Sequence, residues 1–259
     1  MRSRLTPGVT PPRARARYAT GWRNDYGSNW FMPKDQRDAA TAIRRTALFR
    51  TLPPAAVARL AANATTLSLP RGKQVCRSGE RCAGLYIVLS GRIMLSVGAP
   101  PGESKVIELI GPGGHIGLAA AAHGVPETVT AETLADSSLL LIPRETLLDC
   151  AAANPEIGLQ LVAALSRQVC GLIADIEAFS LRSGRERVAN YLLQIAAGPG
   201  ARQRPLTLPA KKSIIASRLS LTPEYFSRML HELIVAGAIA VDGRQITVLD
   251  PGRLRDSSH

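Results

Sequence analysis

From Pro155 to Phe179 the sequence holds one uninterrupted helical pattern, with Asn154-Pro155-Glu156 suited to its first turn. A helix of that length exceeds the usual globular helix and divides the chain into an N-terminal and a C-terminal part. Val162, Val169 and Ile176 fall on one heptad position, and Leu165, Leu172 and Phe179 on the other. β-Branched residues at a and chiefly Leu at d suit a parallel two-stranded coiled coil, so the helix is expected to dimerise two copies of the chain. With fewer than three full heptads, an amphipathic helix packed on its own domain stays open as the alternative.

Before the helix the texture is that of short strands. Leu67–Leu69, Gly84–Leu95, Val106–Ile110 and Ser138–Ile142 are apolar runs punctuated by Gly and Pro, as in a small β-barrel or jelly roll. A helical lead-in precedes them: Leu48, Phe49, Leu52, Val57 and Leu60 recur near helical spacing around the Pro53-Pro54 turn. Residues 1–40 are rich in Arg, Pro and Gly without an apolar period, which predicts a disordered basic extension.

After the helix, Arg185–Ala196 predicts a short helix, broken off by Gly198-Pro199-Gly200. Lys212–Leu219 and Pro223–Ala236 then predict two helices joined by Ser220-Leu221-Thr222, with Gly237 closing the second. Thr222 is a suitable N-cap and Pro223 a suitable first helical residue. Ile239–Val241 and Gln245–Leu249, separated by Asp242-Gly243-Arg244, read as a hairpin, completing a winged helix-turn-helix. The fold class is therefore α+β. A basic extension (1–40) precedes a β-roll sensor with its lead-in (41–153), a dimerisation helix (154–180) and a winged helix-turn-helix (181–259).

The formal charge is +12, from 32 Lys and Arg against 20 Asp and Glu, which favours a polyanionic partner. No run approaches the ~18–20 consecutive apolar residues of a spanning segment, and the N-terminus lacks a secretory core. A cytoplasmic protein with no membrane partner is expected. Cys76, Cys82, Cys150 and Cys170 form neither a CxxC pair nor a disulfide framework. Cys82, beside Arg81 in an expected hairpin, is a candidate activated thiol. Nucleophile elbow, phosphate loop and HExxH pair are all missing, so no enzyme is expected.

The second helix of the pair carries chemistry suited to double-stranded DNA. Its N-terminal end presents Glu224, Tyr225, Ser227 and Arg228, where a recognition helix meets base edges. Arg pairs with guanine N7 and O6, Glu accepts from cytosine N4, and Ser serves bases or phosphates. Lys211, Lys212 and the cap Thr222 are candidate backbone contacts.

The stretch from Leu219 to Leu230, with its Glu-x-x-Ser-Arg spacing, resembles the recognition motif of Crp-Fnr superfamily regulators. The resemblance runs from about Leu48 to Leu254, Gly84–Gly91 being similar to the hairpin of that family's cyclic-nucleotide-binding-like β-roll. It implies a homodimer acting with RNA polymerase, and base-reading roles for Glu224, Ser227 and Arg228. The closest motif match is to the Fnr and nitrate-respiration branches, which implies palindromes of TTGAT and ATCAA half-sites.

Cyclic-AMP-binding members resemble one another in a Gly-Glu-x-x-Leu stretch followed by Arg-Ser or Arg-Thr. This chain has Gly114-His115-Ile116-Gly117-Leu118, and Glu127 before Thr128, so cyclic AMP is disfavoured. An Fnr-type iron-sulfur cluster is disfavoured too, since residues 1–75 contain no cysteine. What remains by resemblance is nitric-oxide sensing through haem, with His115 as the candidate axial ligand to its iron and Ile116 and Leu118 as candidate pocket residues; a structural or exposed role for a lone loop histidine stays open beside it. The competing class is a cyclic-nucleotide-dependent module acting through protein contacts, its C-terminal domain a docking platform.

Overall fold

A computed structural model describes residues 36–98, 104–196 and 206–257. Of the expected disordered extension, 1–40, residues 1–35 lie outside the described residues, as does the break at Gly198-Pro199-Gly200, while residues 36–40 are corrected to helix.

The lead-in forms α1 (Gln36–Arg45) and α2 (Pro54–Ala62). Eight strands come next: β1 (Thr65–Leu69), β2 (Gln74–Cys76), β3 (Gly84–Ser90), β4 (Ile93–Val97), β5 (Lys105–Ile110), β6 (His115–Ile116), β7 (Thr130–Thr133) and β8 (Ser137–Pro143). A short helix, α3 (Leu118–His123), lies between β6 and β7. The strands make two four-stranded sheets, β1-β8-β3-β6 and β2-β7-β4-β5, antiparallel throughout. This is the expected β-roll.

The unbroken apolar run Leu85-Tyr86-Ile87-Val88 results from burial on both faces of its sheet. Tyr86 and Val88 turn inward with Ile93, Leu95, Ile116 and Leu139 to fill the space between the sheets. Leu85 and Ile87 turn outward, with Leu140 and Ile142 of β8, against Phe49, Leu60 and Leu147 of the surrounding helical segments. Side chains alternate in a strand, so a strand covered on both sides reads as continuous rather than alternating hydrophobicity.

Helix α4 (Arg144–Ala153) leads into α5 (Pro155–Leu181), the long helix. One side of its N-terminal half, Ile157, Leu161 and Ala164, is buried in the cluster shared with α1, α2 and α4. By length and composition α5 would also pass for a membrane-crossing helix, a point that counting uninterrupted apolar runs does not reveal. Arg167 interrupts its apolar middle, and Asp175 pairs with Arg218 at 2.8 Å.

The C-terminal part contains α6 (Gly184–Ala196), β9 (Leu206–Thr207), α7 (Lys212–Arg218), α8 (Pro223–Val235), β10 (Ile239–Asp242), β11 (Gln245–Val248) and α9 (Pro251–Asp256). Phe226, Met229, Leu230 and Leu233 of α8 close on Val188 and Leu192 of α6 and Ile215 of α7. The β10–β11 hairpin turns on two residues, with Gly243 at φ +57° where glycine is unstrained. Strand β9 extends it to a three-stranded wing.

Candidate nucleic-acid interface

The helix-turn-helix is built by local chemistry. Thr222 caps α8, its hydroxyl accepting from the Tyr225 N–H at 3.2 Å, and Pro223 occupies the first turn, where its missing N–H costs nothing. Glu224 sits at the positive end of the helix dipole. With the apolar side fixed in the core, Glu224, Ser227 and Arg228 are left exposed together at one end of the helix. Ser227 donates to the carbonyl of Pro223 at 2.9 Å, and Arg228 lies over the Tyr225 ring, 4.6 Å from its centroid. Both side chains are thereby oriented before any DNA arrives. At the start of α7, Lys211 is exposed and Lys212 half-buried, beside N–H groups suited to a phosphate.

Sequence reasoning missed what supports this face. A Cβ at Gly184, the first residue of α6, would lie 2.2 Å from the Tyr225 ring, so only glycine lets the ring under Arg228 sit where it does. Gly184 comes just before the predicted helix Arg185–Ala196, the one signal that could have found it. Lys105, Asp175 and Arg187, which meet the turn between α7 and α8, belong to no motif and left no signal.

Along α5, four of the six expected seam residues, Val162, Val169, Leu172 and Ile176, are each more than half exposed, joined by Leu159 and Ile173. The other two are engaged within the chain. Leu165 packs on the sensor core, and the half-buried Phe179 ring lies 5.0 Å from Lys105 Nζ. The exposed stripe is therefore rotated from the a/d pattern, toward the heptad position that Leu159 and Ile173 share.

The candidate effector residues do not share one cleft. Ile116 is buried between the sheets, Leu118 in the outer cluster, and His115 faces the opposite side of its strand from Ile116. His115 Nε2 is buried without a hydrogen-bond partner. Burial, with Arg167 nearby, lowers its pKa from the ordinary histidine value. The activated-thiol expectation for Cys82 is corrected: the side chain is buried, and burial beside the Glu127 carboxyl pushes its thiol up to about 12. Arg81 does not compensate.

Glu127 is itself only 4% exposed, and its Oε1 has no hydrogen-bond partner. Burial raises its pKa above the ordinary carboxylate range.

A β-roll joined by a long helix to a winged helix-turn-helix, with a free polar reading face, defines a sensor-coupled DNA-binding transcription regulator. The comparisons with known proteins agree: residues 66–154 match the cyclic nucleotide-binding domain family, and residues 186–257 the Crp-like helix-turn-helix domain. A CRP-like cAMP-activated global transcriptional regulator of Mycobacterium tuberculosis is 26% identical over 215 residues, 82% of this chain and 96% of that protein. The fumarate and nitrate reduction regulatory protein of Escherichia coli is 26% identical over 183 residues, 70% of this chain and 73% of that one. FixK2 of Bradyrhizobium japonicum shares the fold, at TM-score 0.69 and 24% identity, covering 76% of this chain and 98% of its own. The chain belongs to the Crp-Fnr family, a family of transcription regulators and not of enzymes. The alternative of a docking platform that acts without DNA is thereby set aside.

The buried carboxyl has a measurable signature. The folded state keeps Glu127 protonated to higher pH than the unfolded chain does. The native protein therefore binds the extra proton, and stability falls as pH rises from the unfolded carboxylate value through the raised folded one. Glu127→Gln removes that slope. It is expected to melt above wild type at pH 8, with the gap closing toward pH 4; coincident melting curves across that range would show that the carboxyl carries no such cost.

Proposed function

We propose that the protein acts as a cytoplasmic homodimer that reads palindromes of TTGAT and ATCAA half-sites and regulates transcription through RNA polymerase. The observation that carries the reading is the joint exposure of Glu224, Ser227 and Arg228, with Arg228 laid on Tyr225. A guanidinium reaching guanine N7 and O6 and a carboxylate accepting from cytosine N4 suit the G·C pair inside each half-site. Two copies related by a twofold axis would set their α8 helices in successive major grooves, ~34 Å apart. The exposed stripe Leu159, Val162, Val169, Leu172, Ile173 and Ile176 supports that pairing, because apolar surface left in water costs free energy that burial against a second copy recovers.

The effector is read from the sensor interior. Glu127 places a buried carboxyl where cyclic-AMP-binding relatives carry the phosphate-holding Arg, so the proposed effector is not a cyclic nucleotide. For haem, and for nitric oxide through it, His115 offers one unpartnered imidazole nitrogen whose lowered pKa favours the neutral, metal-binding form. Ile116 and Leu118 do not join it in one cleft, so the three residues do not fit a haem as they stand.

Arg228→Ala is expected to reduce discrimination between the palindrome and a scrambled duplex by about 1–3 kcal/mol. Lys212→Ala should weaken both duplexes alike. Fluorescence anisotropy on the two duplexes checks this; equal losses for Arg228→Ala would remove its base-reading role.

Val169→Glu combined with Ile176→Glu is expected to shift the sedimentation coefficient to that of a monomer while the helical circular dichroism is retained. Unchanged sedimentation would refute pairing along α5. Optical titration with haem tests the misfit: failure to saturate is expected, and a saturable Soret band altered by His115→Ala would overturn it.

A further inference from the structure

The reading domain meets the sensor within the same chain along one seam, β5 against α7. Lys105, the first residue of β5, donates from Nζ to the Ser217 carbonyl and to Ser220 Oγ, the latter at 2.8 Å. The Val106 N–H donates to Ser217 Oγ at 3.1 Å. Arg187 of α6 donates to the carbonyls of Leu219 at 2.7 Å and Ser220 at 3.3 Å. Arg218, at the end of α7, reaches both carboxylate oxygens of Asp175 on α5, at 3.0 and 2.8 Å.

The convergence has a physical cause. The last carbonyls of a helix have no partner within it and carry the negative end of its dipole, so they collect cations. Here Lys105 and Arg187 fill that role for α7, one from the sensor and one from the reading domain.

The turn itself adds a second observation. Ser220 N–H donates to the Ser217 carbonyl at 3.1 Å, and Leu221 N–H to the Ala216 carbonyl at 2.9 Å, which is the Schellman pattern. The residue at its left-handed position is usually Gly, because a Cβ there is crowded. In this chain it is Ser220, at φ +55°, the single non-glycine residue with positive φ among the described residues. Glycine would make the turn more easily but would supply no hydroxyl for Lys105. The docked arrangement leaves Glu224, Ser227 and Arg228 exposed, so the seam aims the reading face without covering it.

We propose that the β5–α7 seam is the joint through which the sensor positions the reading helix, with Lys105 and Ser220 as its positioning residues. The joint holds each reading domain at a fixed attitude to its own sensor, and so fixes the spacing of two domains across a dimer. The spacing across a dimer rests on the proposed homodimer; the joint itself does not.

Hydrogen exchange followed by mass spectrometry on the full chain tests it, comparing wild type with Ser220→Gly, Lys105→Ala and Lys105→Arg. Ser220→Gly is expected to raise the melting temperature, since it relieves the turn, while speeding exchange in 105–110 and 212–221 by about tenfold. Lys105→Ala should speed the same segments, and Lys105→Arg should stay near wild type. On DNA, Ser220→Gly and Lys105→Ala should lose affinity for a palindromic duplex and keep that for a single half-site. Exchange unchanged in both variants, or faster exchange in Ser220→Gly accompanied by a lower melting temperature, overturns the joint. If wild type shows no preference for the palindrome while the exchange results hold, the proposed target fails and the joint stands.

Discussion

The architecture depends on a helix that must satisfy two apolar sides at once. The inner side of α5 closes the sensor core through Ile157, Leu161 and Ala164, which fixes the helix to the roll. The other side, from Leu159 to Ile176, finds no cover among the described residues. A helix anchored on one side and wet on the other is stable as part of its domain yet incomplete, and association is the ordinary remedy for such surface. Asp175, near its far end, holds Arg218 of α7. The element that invites a partner is thus also tied to the element that reads.

The sensor interior obeys a different rule. Cys76, Cys82, Tyr86 and Glu127 sit in or beside the space between the sheets, and each is pushed toward its neutral form by burial. Four acids brought together where solvent cannot stabilise their anions are held in their neutral forms. The strand framework around them is the one that cyclic nucleotide-binding domains share.

Much of this was legible in the sequence, for reasons that can be named. The β-roll announced itself because strands covered on both faces leave apolar runs such as Leu85–Val88, and the reading helix because its cap, first-turn proline and buried positions all agree. The seam on α5 was legible only in part. Heptad counting identifies an apolar position but cannot say whether the chain's own core or a second copy covers it, and Leu165 and Phe179 went to the former. Cys82 misled because an adjacent Arg81 in sequence does not mean an adjacent charge in space. The contacts of Lys105 were invisible, since its partners at Ser217 and Ser220 lie more than a hundred residues away.

The close approach of Gly184 to Tyr225 has a mechanical consequence. Arg182 ends α5 in extended backbone, and Gly184 opens α6 two residues later, so the glycine lies at the bend between the long helix and the reading domain. Tyr225 rests on that glycine, and Arg228 rests on Tyr225. The path from the bend to the Arg228 guanidinium is two van der Waals contacts long and runs along the edge of the hydrophobic core, on which Tyr225 also packs. A few degrees of rotation at the bend would move the Arg228 side chain while the core packed around Phe226 and Leu233 keeps its shape.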